Sequence, residues 1–122
     1  MQYPQSINSG QDDAPEGMTL TERFEAFHRR NPAFYAQIVH LGRRFRAKTG
    51  RTCGIQRLVE IARWDIEMTL VGDDEFKVNN DYAAFYARLI MIQEKDMAGF
   101  FKLRKAEEAN AWAAGLTGPE AA

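Results

Sequence analysis

Between Tyr82 and Ile92 the chain reads YAAFYARLIMI, and the only charged residue in that stretch is Arg88. A helix of this composition is apolar nearly all round and must be covered on several sides. It is far shorter than the roughly 18 to 20 apolar residues that cross a bilayer, so protein has to cover it. The rest of the chain must therefore wrap this segment, and its patterning shows how. Such a helix is the centre of the domain or is shared with a second subunit, which keeps a homodimer among the expected partners.

The flanking segments repeat a helical period between recognisable stops. Thr19 and Glu22 have the spacing of a capping box, and Leu20, Phe24 and Phe27 supply the buried stripe of a first helix ending near Arg30. Asn31 followed by Pro32 predicts a capped second helix. Phe34, Ile38, Leu41 and Phe45 form its stripe, and Thr49 and Gly50 stop it. From Ile55 to Leu70 the polar residues Gln56, Glu60, Arg63 and Glu67 form one narrow stripe, leaving a wide apolar face that includes Ile61, Trp64 and Met68. Asn79 or Asn80 caps the helix that carries YAAFYARLIMI, and Asp96 caps a last one bearing Met97, Phe100, Phe101 and Leu103.

The fold class expected is all-α, a compact bundle of about five helices, with room for one short strand or hairpin at residues 75–78, where Phe76 and Val78 alternate with Glu75 and Lys77. Residues 1–17 are expected to form a flexible tail, 18–105 the helical globular domain, and 106–122 a C-terminal helical extension and tail. At 122 residues, 45% of them apolar, one core is affordable without staples. The single cysteine, Cys53, can form no intrachain disulfide. The N-terminal stretch lacks the basic start and apolar run of a secretory signal, so the expected location is cytoplasmic, away from membranes.

Net charge is only −1, but it is strongly segregated. Residues 1–28 carry five acids against one base, residues 29–63 nine bases against one acid, and the remainder eleven acids against six bases. The basic middle is the strongest functional lead in the sequence. Arg29 and Arg30 end the first helix, while Arg43, Arg44, Arg46, Lys48, Arg51 and Arg57 crowd the end of the second and the start of the third. Clustered guanidinium groups suit phosphates, which makes nucleic acid the first candidate partner. Cations at a helix C-terminus also stabilise the helix dipole, so a solvated surface accounts for the same residues.

The constellations that carry catalysis are incomplete. Glu25 and His28 form one ExxH pair where carboxylate-bridged metal sites use two. Asp73, Asp74, Glu75 and Lys77 imitate a divalent-metal nuclease, whose chemistry needs a sheet to align the carboxylates. Cys53 at a helix entrance has no histidine near it in sequence. No catalytic residue, metal ligand or cofactor is therefore expected. A helix-turn-helix with Asn79, Asn80 and Asp81 at its recognition helix is opposed by a long acidic connection and by that helix's apolar character.

The strings GIQRLVEIARWDIEMTL, GDDEFKVNNDYAAFYARLIM and AGFFKLRK, with FHRRNP at Phe27 to Pro32, resemble a group of small bacteriophage and prophage helical proteins with a GI…RW…FKxNN…YARLxM…FFxxR pattern. The resemblance spans residues 24–104 and implies phage origin and a compact fold. It assigns no catalytic or binding residue. Within that pattern Trp64, Phe76, Tyr82, Phe85, Tyr86, Leu89, Phe100 and Phe101 are expected in the core, and Arg88 is expected to pair with Asp65 or Glu67. Two functions follow as expectations. The first is a non-enzymatic accessory protein that binds nucleic acid through its arginines; the alternative is a module that occupies or inhibits a host or defence-system protein.

Overall fold

The computed structural model describes residues 17–72 and 74–117. The tail expected at 1–17 lies outside them except for Gly17, as do Asp73 and residues 118–122. Among the described residues five α-helices form a compact bundle: α1 (Leu20–Arg30), α2 (Pro32–Thr49), α3 (Ile55–Glu67), α4 (Tyr82–Gln93) and α5 (Glu107–Thr117). A single 3₁₀ turn, Lys95–Met97, follows α4. Packing closes a ring, because α1 rests on α2 and α5, α2 on α3, α3 on α4, and α4 on α5.

The local reasons are those the sequence carries. Thr19 accepts the Glu22 N–H while the Glu22 carboxylate accepts the Thr19 N–H, which closes the capping box of α1. Gly50 adopts a left-handed φ of 69° and returns its N–H to the Arg46 carbonyl, ending α2. Gly42 is buried in α2 where a Cβ would stand 2.9 Å from Met97 Cε and 3.3 Å from Leu58 Cδ1, so its missing side chain lets α3 and the 3₁₀ turn approach closely. Around α4, Tyr82, Ala83 and every residue from Phe85 to Ile90 are buried. The apolar helix is thus enclosed by its own chain, and the reason for sharing it with a second subunit disappears.

Several local expectations are corrected. Asn31 does not cap α2 through its side chain; its Nδ2 donates to the Phe27 carbonyl at 2.9 Å and closes α1 instead. Neither Asn79 nor Asn80 is the N-cap of α4, which is Asp81, although Asn79 Oδ1 accepts the Asp81 N–H in the turn before the helix. No strand occurs among the described residues at 75–78: the alternation survives in irregular chain with Phe76 buried and Lys77 exposed. The helix expected from Asp96 stops after one 3₁₀ turn at Gly99, whose φ of 73° is left-handed. Met97 still reaches the core from the 3₁₀ turn, and Phe100 and Phe101 from irregular chain, whereas Leu103 is exposed. The C-terminal helical extension docks onto the bundle as α5, with Ala109 buried and Trp112 packed against Phe24 and Phe85.

The largest corrections concern α3 and Arg88. Trp64, expected in the core, is 64% exposed. Arg88 meets no carboxylate among the described residues; its guanidinium donates to Asn110 Oδ1 and to the Ala84 and Arg104 carbonyls.

Candidate interaction surface

The eight basic residues separate into three groups. Arg29 and Arg30 close α1 and stand beside the first turn of α2, whereas Lys48 lies in its last turn. An 18-residue helix lies between, a span of about 27 Å at the α-helical rise. Arg43 and Arg46 are used inside the molecule. Arg43 forks onto Asp96 with two bonds of 2.9 Å and reaches Glu94 at 2.8 Å. Arg46 bonds the Asp96 carboxylate at 3.0 Å and its backbone carbonyl, fastening α2 to the 3₁₀ turn. Those hydrogen bonds hold the Asp96 carboxyl below the usual carboxylate range.

Arg44, Lys48, Arg51 and Arg57 remain exposed at the corner where α2 turns into α3, and no carboxylate among the described residues pairs with them. Arg51 and Arg57 both lie over the Phe45 ring, with Cζ at 5.6 and 6.0 Å from its centroid. Of the eight predicted residues, four therefore stay exposed near this corner without a carboxylate partner, Arg43 and Arg46 are engaged by Glu94 and Asp96, and Arg29 and Arg30 lie toward the other end of α2.

Arg57 also begins a feature that arginine counting does not reveal. Helix α3 lies antiparallel to α2, with Arg57 over Phe45 near one end and Gln37 Nε2 donating to Asp65 Oδ2 at 2.8 Å near the other. Leu58, Val59, Ala62 and Ile66 face inward and are buried. On the outer side Ile61, Trp64, Met68 and Val71 are 40, 64, 63 and 85% exposed. Spacings of three and four place Ile61, Trp64 and Met68 along one ridge that starts four residues beyond Arg57, and Val71 follows beyond the end of α3. Beside the ridge runs the polar stripe seen in the sequence, where Glu60 joins Gln56 at 3.2 Å and Arg63 at 3.1 Å. An apolar ridge on an otherwise polar helix face makes this the candidate contact surface. A signal was present in the sequence, because an apolar face that includes positions 61, 64 and 68 as well as 58, 59, 62 and 66 is wider than one packed side of a helix can cover.

No family model, curated protein or solved structure matches this chain.

The remaining chemistry-bearing residues are otherwise engaged. Glu25 accepts the Trp112 indole N–H at 3.0 Å, and His28 lies among rings, stacked on Phe24 and edge-on to Tyr35 and Tyr86. Asp74, Glu75 and Lys77 are exposed on irregular chain, with Lys77 4.0 Å from Glu75. Cys53 is buried beside an open cleft of about 990 Å³ between the start of α3, α4 and residues 102–109, whose walls include no histidine. Among the described residues no three of His, Cys, Asp and Glu converge as metal ligands, and no helix is long and apolar enough to cross a membrane. Helix α4, the recognition helix of the helix-turn-helix alternative, is too enclosed to enter a groove.

Burial of His28 disfavours its charged form and lowers its pKa below 6.5. The neutral imidazole therefore contributes stability that is fully present above the unfolded value and is lost as pH falls toward the folded one. Denaturant titrations between pH 7.5 and 5.5 are expected to show the wild type losing stability, and His28→Phe, which keeps a ring on Phe24, losing distinctly less. Equal losses in both proteins would remove His28 as the cause.

Proposed function

We propose that this chain is a non-enzymatic accessory protein of phage origin that docks onto a protein, with a host or defence-system protein as the partner class, through the α3 ridge formed by Arg57, Ile61, Trp64, Met68 and Val71. The observation that carries this reading is the position of Trp64, 64% exposed in the middle of an apolar stripe. Tryptophan and arginine are the residues that most often dominate protein interfaces, because each joins a large contact area to a polar handle. The basic corner at Arg51 and Arg57 favours a partner with an apolar groove or amphipathic helix bordered by carboxylates at that end.

Trp64→Glu tests the reading. The exposed position predicts a folding free energy within about 0.5 kcal/mol of wild type. Wild type immobilised against host lysate is expected to retain one stoichiometric protein that Trp64→Glu does not retain. Calorimetry with that protein purified is then expected to show binding weakened about 100-fold or more, the scale of an interfacial hot spot. Equal retention and equal affinity would sink the proposal.

A second reading rests on the four exposed cations Arg44, Lys48, Arg51 and Arg57, which supports contact with nucleic-acid phosphates. Titration against a generic duplex distinguishes the two. Phosphate binding weakens steeply with salt and is abolished by Arg44→Glu with Lys48→Glu, and it survives Trp64→Glu.

A further inference from the structure

We propose that in the free protein the α3 ridge is covered by a second copy of the same chain, laid antiparallel in a two-fold symmetric dimer. The inference rests on reading that ridge as a contact surface and names its occupant.

The first ground is the symmetry of the ridge itself. The spacing three, four, three from Ile61 through Trp64 and Met68 to Val71 reads the same in either direction about Ile66. An antiparallel isologous contact can use this spacing directly, since a residue that touches a second one on the other copy is met there by the same pair reversed. With the axis at Ile66, Trp64 lies on Met68 of the second copy and Ile61 on Val71 of the second copy, each pair occurring twice. A thioether against an indole is a favourable pairing beyond the area it buries. The turn after α3 keeps the helical coil through Leu70, with the Met68, Thr69 and Leu70 N–H groups returning to the Trp64, Ile66 and Glu67 carbonyls. The coil therefore carries the ridge past the end of α3 as far as Met68, and Val71 follows directly after the turn.

The second ground is charge. One end of the ridge is basic, with Arg51 and Arg57 exposed, and chain beyond the other end is acidic, with Asp74 and Glu75 exposed. Lys77 stands 4.0 Å from Glu75 and offsets that carboxylate in part, while Asp74 has no ion-pair partner among the described residues. Antiparallel copies bring each basic end toward an acidic end, twice over; parallel copies would oppose Arg57 to Arg57. Four apolar side chains per copy make a small interface, at the low end of those that hold proteins together. The expected dimer is thus weak and concentration-dependent, and a partner competing for the ridge displaces the second copy.

Sedimentation velocity of the full chain tests this. Wild type is expected to move from the 13.9 kDa monomer toward twice that mass between low micromolar and millimolar concentration. Trp64→Glu is expected to stay monomeric throughout, with an unchanged denaturant midpoint. Arg57→Glu and Asp74→Arg are each expected to weaken the dimer about ten-fold, one RT-scale decade of affinity, and the double variant to recover it. A wild-type monomer at every concentration overturns the proposal, as does a dimer that Trp64→Glu leaves intact. A dimer strengthened by mixing wild type with Arg57→Glu overturns the antiparallel arrangement. If wild type is monomeric while Trp64→Glu still abolishes partner capture, the dimer fails and the contact surface stands; if Trp64→Glu changes neither, both fail.

Discussion

Phe24→Ala is expected to destabilise the protein by about 3 to 5 kcal/mol, the range for removing a large aromatic side chain from a packed core. Phe24 is fully buried and stacks on Phe85 with ring centroids 4.7 Å apart. It also meets Tyr86 at 4.9 Å and Trp112 at 5.1 Å, both edge-on, so one side chain joins α1 to α4 and α5. The rings around it are held by other neighbours as well: Tyr86 also packs on Phe34, and Tyr82 on Phe27. They cannot all move inward, and the cavity should persist instead of collapsing. Urea unfolding measures the loss directly, with Leu103→Ala as an exposed control expected within about 0.5 kcal/mol of wild type. Tryptophan emission is expected to shift to the red as the Trp112 contact loosens. A loss below about 1 kcal/mol for Phe24→Ala would show that the aromatic cluster is not the keystone of the core.

The sequence resolves this bundle where the cause is local and fails where it is not. The capping box at Thr19, the stop at Gly50 and the enclosed YAAFYARLIMI helix depend on neighbours within a few residues, and all three are present. The periodicity of α3 is equally local, but it records only that apolar residues share a side. Whether that side is covered depends on α2 and α4, which is why Trp64 was expected inside and lies outside. Phe100 and Phe101 are apolar because the core needs them, yet the left-handed turn at Gly99 delivers them from irregular chain. The alternation at Phe76 and Val78 is real, but a strand also needs a second strand to bond. For the arginines, what matters is separated by about half the chain: the carboxylates that engage Arg43 and Arg46 are Glu94 and Asp96, and no spacing rule links them. Arginines close in the primary order suggest one cluster, whereas the length of α2 keeps Arg29 and Arg30 away from the others.

Arg88→Ala is expected to cost about 3 kcal/mol, because hydrogen bonds from a charged donor contribute roughly 1.5 to 3 kcal/mol each and their loss leaves acceptors unpaired. The residue is 5% exposed on α4, and its partners explain both how a buried charge is tolerated and what it does. Nε donates to Asn110 Oδ1 at 2.7 Å, Nη2 to the Arg104 carbonyl at 2.9 Å and Nη1 to the Ala84 carbonyl at 2.8 Å. The Asp65 carboxylate, the partner expected from the sequence, accepts from Gln37. Neutral oxygens therefore take the place of a salt bridge, and two of them belong to the chain entering α5 and to α5 itself. A guanidinium can serve three acceptors pointing in different directions, which an ammonium on a thinner stem cannot match in one rotamer. Arg88→Lys is accordingly expected to recover only part of the loss, and Arg88→Met, which keeps the apolar stem, to fall near alanine. Native-state hydrogen exchange should show protection lost first across residues 100–112, since Arg104 and Asn110 are released together while Ala84 keeps its helical bond. If Arg88→Met matches wild type in urea, packing of the stem carries the stability and the guanidinium does not hold α5 to α4.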